Sequence, residues 1–371
     1  MLLLLRLLVG VVIGQQQPQP LLPQRNSWPW VAGDALVRVT VAQDFDFAVS
    51  VKGVNWTLQS GGIMFRCGGA RYIHPPNGSS TALPLAAEDL PTRSVGFEAP
   101  GRGSYVEISQ GWIAGKCGRF VTSIRYYSAW DSFEFLHGAT SGAHGTAAKP
   151  PANKATSLLA TAFPTLLLRG RALHMPGMLN WNDGAIGPGE VLFAAPIAPD
   201  FSQFESIAGM DAGPVALFEP SPSNSSSFGP ALTIGLGNHF TSTALTRLDN
   251  QALAAGANGY IASIPPGWTV SVSMSARLGI NAAMLDWGEV ARIQHSTTKL
   301  TLDDDLLSAK LGYVQDDGGY YCFCEYTDRH LNNRSGFGPA GRTMTALKRY
   351  HAELGLDLGV YHIDPYVLVP V

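Results

Sequence analysis

From Ala35 to Met274 the chain repeats one device: a short run of alternating or β-branched residues, then a break made of Gly, Pro or Asn. Ala35-Leu-Val-Arg-Val-Thr-Val41, Phe47-Ala-Val-Ser-Val51, Tyr105-Val-Glu-Ile-Ser109 and Val121-Thr-Ser-Ile-Arg-Tyr-Tyr127 carry it early. Val215-Ala-Leu-Phe218, Leu232-Thr-Ile-Gly-Leu236, Tyr260-Ile-Ala-Ser-Ile264 and Trp268-Thr-Val-Ser-Val-Ser273 carry it later. Alternation sends successive side chains to opposite faces of a strand, and short breaks suit antiparallel neighbours. So many strands in one region predict a large antiparallel β-sandwich over residues 35–278, in a chain whose fold class is mainly β. Gly138 to Thr156, rich in Ala, Gly, Lys and Pro, is expected to be a flexible excursion within it, because strand patterns resume afterwards.

The composition agrees. Charged residues make up 14% of the 371, against about 25% in ordinary soluble domains, while 41 Gly and 25 Pro favour turns over a helical bundle. A net charge of −3 without any basic run argues against a nucleic-acid partner, which clustered Lys and Arg would have to hold.

At Gly279 the period changes. Ile280, Ala283, Met284, Trp287, Val290 and Ile293 share one helical face, which predicts a linking helix and loop over 279–309. A strand-like run, Leu311 to Cys324, follows. Arg342 to Leu356 has helical spacing at Met344, Leu347, Tyr350, Ala352 and Leu354, closed by Gly355 and Gly359. A second strand-like run, Val360 to Val369, comes next. Strand, helix and strand in this order predict a βαβ unit over 310–371, the start of a TIM-barrel-like β/α module. A complete barrel takes about 250 residues, so the unit is expected to be incomplete and inactive as it stands.

Residues 1–14 are apolar, too short to span a bilayer and of the length of a signal-peptide core, with cleavage expected before Gln15. Secretion, with no stable membrane anchor after cleavage, is the expected localisation. Residues 15–34, opening with Gln and Pro, are expected to be disordered. Four N-x-[ST] sequons, at Asn55, Asn77, Asn224 and Asn333, suit glycosylation in that compartment. Of the four cysteines, Cys67 and Cys117 are the expected disulfide within the first domain. Cys322 and Cys324 are too close in sequence to favour pairing with each other. With no second cluster of zinc-ligand spacing, neither metal nor cofactor is assigned.

Ile280-Asn-Ala-Ala-Met-Leu-Asp-Trp-Gly288, Lys310-Leu-Gly-Tyr-Val-Gln-Asp-Asp-Gly-Gly-Tyr-Tyr321, Leu347-Lys-Arg-Tyr-His-Ala-Glu-Leu-Gly-Leu356 and Tyr361-His-Ile-Asp364 resemble a secreted eukaryotic family. In that family a mutarotase-like sandwich precedes a (β/α)8 barrel similar to α-galactosidase and α-glucosidase type glycoside hydrolases. The resemblance covers Gly279 to Asp364. It departs at Gln315-Asp-Asp-Gly-Gly319, where the family pattern reads Thr-Asp-Asn-Gly-Ala, and at Cys322 and Cys324, where aromatics are expected.

The resemblance implies a protein that acts on or binds oligo- or polysaccharide. Glycoside hydrolysis needs two carboxyl groups across the scissile bond, and in the resembled enzymes these come from later strands, so no catalytic residue is assigned. Asp316 and Asp364 are the candidate sugar-binding carboxylates, with Tyr321 and Tyr361 as rings for the apolar sugar face. A turn at Asp316-Asp317-Gly318, with the tyrosines in a core, is the alternative reading of the same residues. The competing functional reading is a non-catalytic carbohydrate-binding or cell-surface structural glycoprotein. The sequence has no G-x-S-x-G or H-E-x-x-H pattern.

Overall fold

Valines alternating with polar residues start the first sheet: Val37, Val39 and Val41 are fully buried, while Arg38 between them is exposed. The computed structural model describes residues 28–33, 35–54, 56–75, 82–98, 101–148, 159–168, 174–176, 194–196, 214–218, 229–248, 252–305, 309–315, 340–356 and 358–363. The chain divides into two compact units, Met1–Ser296 and Thr297–Val371.

Among the described residues, two large antiparallel sheets dominate the first unit. One has seven strands in the order Trp30–Ala32, Val37–Val41, Phe47–Val51, Thr57–Ser60, Thr165–Leu167, Ala252–Ala257 and Thr243–Leu248. The other has ten, and five of them build the region of interest: β1 (Gly103–Ile113), β2 (Arg119–Tyr127), β3 (Ser132–Ala139), β4 (Pro230–Leu236) and β5 (Trp268–Leu278). In space these run β1-β2-β3-β5-β4, each antiparallel to its neighbour. Between the sheets lies one core. Phe47 of the smaller sheet meets Phe135 of β3 at 5.4 Å and Phe163 at 5.8 Å, and Ile108, Ile124, Val270 and Val272 add aliphatic bulk. The expected sandwich is thus present, with helix confined to few segments.

Three expectations need correction. Trp30–Ala32 is a strand, paired with Val37–Val41 and carrying a buried Trp30, so the expected disorder over 15–34 does not extend to these residues. Gly138 and Ala139 finish β3, and Ala143–His144 pairs with Ser263–Ile264, so this half of the expected flexible excursion is hydrogen-bonded structure. Tyr260, read as the start of a strand, sits in a turn and is 79% exposed. Residues 1–27 lie outside the described residues.

Helix α1 (Ile280–Gln294) packs on the outer face of the ten-stranded sheet, within the first unit. Ala283 and Val290, both on the face expected from the spacing, are buried. Gly235 makes the approach possible: a Cβ there would stand 2.2 Å from the Trp287 indole nitrogen. Arg277 on β5 pairs with Asp286 on the helix at 2.7 Å, and the His295 ring meets the Gly237 carbonyl at 2.8 Å.

In the second unit β6 (Leu311–Gln315) and β7 (Leu358–Ile363) are parallel, with α2 (Ala340–Glu353) between them in sequence. The helix closes with a Schellman arrangement, in which the Leu356 N–H donates to His351 O and the Gly355 N–H to Ala352 O. Gly355 takes φ 74°, a conformation that glycine adopts without steric cost. Leu347 of this helix is buried, and the His351 ring lies 5.8 Å from that of Tyr313 on β6.

Candidate functional site

Parallel strands end at the same edge, and their register fixes which residues leave it together. Gln315 at the end of β6 pairs with Ile363 at the end of β7. The next residues in sequence are Asp316 and Asp364, the two candidate sugar-binding carboxylates, which lie outside the described residues together with Tyr321. Tyr361 is within β7, in register with Tyr313 of β6. The sequons at Asn55, Asn77, Asn224 and Asn333 also fall outside the described residues. Cys67, at the end of strand Ile63–Cys67, and Cys117, in the short turn Gly115–Cys117, are joined as a disulfide with Cα atoms 6.0 Å apart.

The other concentration of chemistry is on the outer face of the ten-stranded sheet and was not singled out from sequence. Antiparallel register lines up Glu107 of β1, Arg125 of β2, Glu134 of β3 and Ser273 of β5 in one row. Glu134 is almost fully buried there and accepts from several donors. Its Oε2 receives the Tyr127 hydroxyl at 2.9 Å and Arg102 Nη2 at 2.9 Å, with Arg125 Nη1 at 3.6 Å. Its Oε1 receives the Ser271 hydroxyl at 2.5 Å and, from α1, Gln294 Nε2 at 3.5 Å. Arg102 also pairs with Glu98 at 2.7 Å, and Arg125 with Glu107. Each guanidinium lies over a tyrosine, Arg102 4.3 Å from the Tyr127 ring and Arg125 4.5 Å from that of Tyr105.

Electrostatics follow from this packing. Burial opposes the charge on both arginines, but their carboxylate partners outweigh it and hold Arg102 and Arg125 above the ordinary guanidinium value. Burial likewise opposes the charge on Glu98, and Arg102 outweighs it, so this carboxyl is held below its usual value. The Tyr127 phenol is pushed upward by burial and by the Glu134 charge, and so remains a donor. Through these bonds the cluster ties together three strands and the end of α1.

Sequence reasoning missed these residues because their partners come from separate strands. One local signal exists: Glu134 interrupts Ser132-Phe-Glu-Phe-Leu136, a charged residue between two core phenylalanines in a chain poor in charge.

Beside the cluster the same face has a groove of about 190 Å³. Glu107 and Arg125 stand along it, with Val121 and Ser123 of β2, Leu136 and Gly138 of β3, and Thr269 of β5. A second, more open depression is lined by Asp44, His74, Asp89, Leu90 and Gln110. Among the described residues no three His, Cys, Asp or Glu side chains come together as metal ligands, and no helix is long and apolar enough to cross a membrane.

No protein-family model matches the chain, and no curated protein matches it by sequence. Among solved structures it is similar to the α-N-acetylgalactosaminidase NagBb from Bifidobacterium bifidum in complex with GalNAc, with a TM-score of 0.45 and 11% identity over 88% of this chain and 50% of that one. It is also similar to a β-arabinopyranosidase (TM-score 0.34, 10% identity, 67% of this chain and 40% of that one). A third likeness is to an α-mannosidase from Enterococcus faecalis (TM-score 0.33, 8% identity, 71% and 31%). The chain thus spans half or less of the length of these three proteins. No residue assignment rests on such distant likenesses, and no family model supports the resemblance over Gly279–Asp364.

Proposed function

We propose that this protein acts on or binds oligo- or polysaccharide, holding a sugar at the C-terminal edge of the β6–β7 pair through Asp316 and Asp364. The observation that supports this reading is the register: Gln315 opposite Ile363 means that both parallel strands end one residue before a carboxylate. The C-terminal edge of parallel strands is where β/α folds collect ligand-binding groups. Tyr321 and Tyr361 would supply rings for the apolar face of the sugar. On the same reading the protein is secreted, with glycans at Asn55, Asn77, Asn224 and Asn333.

A glycan array probed with the full chain tests it. The unaltered protein should retain a defined set of glycans. Asp316→Asn and Asp364→Asn should each weaken that binding about tenfold or more, the loss expected for a charge-assisted hydrogen bond, with unchanged thermal melting. Full retention by both variants would overturn the assignment.

The second reading, a non-catalytic carbohydrate-binding glycoprotein built on the sandwich, is favoured by the groove beside Glu107 and Arg125 on the outer face of the ten-stranded sheet. It predicts glycan retention that is indifferent to both aspartate variants.

A further inference from the structure

We infer that the groove beside Glu107 and Arg125 is a binding site for a single neutral sugar residue. It lies on the first unit and makes no use of Asp316 or Asp364, so it stands or falls separately from the strand-end site.

Three features of the groove select this ligand class. Its charged rim is an ion pair: Arg125 Nε donates to Glu107 Oε2, so donor and acceptor stand side by side with no net charge between them. Adjacent hydroxyl groups, which both donate and accept, match such a pair. A free anion would face Glu107 and the nearby Glu134, and a free cation would face Arg125. Arg125 is held from behind by the Tyr105 ring and by Glu134, and Glu107 is held by Arg125, so the pair is ordered before any ligand arrives.

The floor is the second feature. Outward-facing positions of β2 and β3 supply Val121 and Leu136, small apolar surfaces for the C–H face of a ring, with Ser123 and Thr269 as further hydroxyls. Gly138 keeps the floor deep. A Cβ at that position would stand 2.5 Å from the Trp268 carbonyl oxygen, so the lack of a side chain is a requirement of the strand packing.

Size is the third. A volume of about 190 Å³ falls below the roughly 300–1,000 Å³ of pockets that bury a drug-sized ligand. The groove thus suits one sugar ring, with room for a longer glycan only outside it. Affinity for a free monosaccharide should accordingly be weak, on the order of millimolar.

The test is a ligand-observed NMR titration of the full chain with glucose, galactose, mannose and N-acetylgalactosamine, with inorganic phosphate as an anionic comparison. The unaltered protein should bind at least one of the four sugars and not phosphate. Read in an Asp316→Asn/Asp364→Asn background, so that only the groove contributes, Val121→Trp, which fills the groove, should abolish the binding, and Glu107→Gln should weaken it at least about threefold. Glu107→Gln keeps the shape of the side chain, so it decides the matter if Val121→Trp fails to fold. Absence of sugar binding in that background, preference for phosphate, or undiminished binding by Glu107→Gln would each overturn the inference.

Discussion

Arg102 Nη2 lies 2.9 Å from Glu134 Oε2, and the two side chains are only 2% and 3% exposed, so this ion pair is sealed from water. Its energetic weight shows when one partner is removed. Glu134→Ala leaves Arg102 with Glu98 as its carboxylate partner, and Arg102→Met leaves Glu134 with Arg125 at 3.6 Å and its hydroxyl donors. Each change should cost about 1.5–3 kcal/mol, the usual worth of a hydrogen bond to a charged group. Urea unfolding of the two variants gives the number directly. Losses below about 1 kcal/mol would place the pair with exposed salt bridges and remove its anchoring role.

His137 faces the core, with its ring 6.1 Å from Phe65 and 6.2 Å from Phe163 and its Nε2 at 2.7 Å from Thr161 Oγ1. Complete burial pushes its pKa from the ordinary 6.5 down to about 3. The unfolded chain therefore takes up a proton near pH 6.5 that the folded protein refuses until about pH 3. Stability should fall as the pH drops through that window, by up to about 1.4 kcal/mol per pH unit from this residue. Denaturation at pH 7, 6, 5 and 4 measures the slope. His137→Gln should reduce it by close to one proton; an identical slope would assign the pH dependence to other groups.

The Cys67–Cys117 bridge closes a loop with a sequence separation of 50. Constraining a loop of that length in the unfolded chain stabilises the native state by ~4 kcal/mol on the chain-entropy account. A Cys67→Ser/Cys117→Ser double variant should unfold at markedly lower denaturant, and added reductant should shift the unaltered protein in the same direction. Indifference to both would mean that the bridge is absent in solution.

Thr233 Oγ1 and the neighbouring Ser275 hydroxyl are buried and have no hydrogen-bond partner among the described residues. A buried hydroxyl without a partner costs about 1–3 kcal/mol, so Thr233→Val, which keeps the shape, should raise the melting temperature. A drop in melting temperature would show that the hydroxyl is satisfied in solution, by bound water for instance.

The strand patterns that predict the sandwich are local, which is why they match the structure closely. Val215–Phe218 has the boundaries its apolar run suggests, and Phe47–Val51 does as well. Ala252–Ala257 escaped notice because Ala and Gly have low strand propensity; all six residues are nevertheless buried, and tertiary packing makes the strand. The helix spacing at Ile280 to Ile293 is equally local and correctly names the buried face. What that spacing does not convey is the docking partner, so a helix read as a linker turns out to cover β4 and β5. The Glu134 cluster is the least legible feature of all, since Glu134 and the five residues that reach it come from three strands, a loop and a helix.

The docking of α1 also decides where the chain can be divided. Trp287 sits against Gly235, and Gln294 reaches Ser271 and Glu134, so the helix fills a place that no strand of the sheet fills for itself. A fragment that stops at Leu278 keeps every sandwich strand and loses the cover over a floor of glycine, serine and threonine. For anyone dissecting the protein, the natural seam is at Ser296: the helix travels with the sheet.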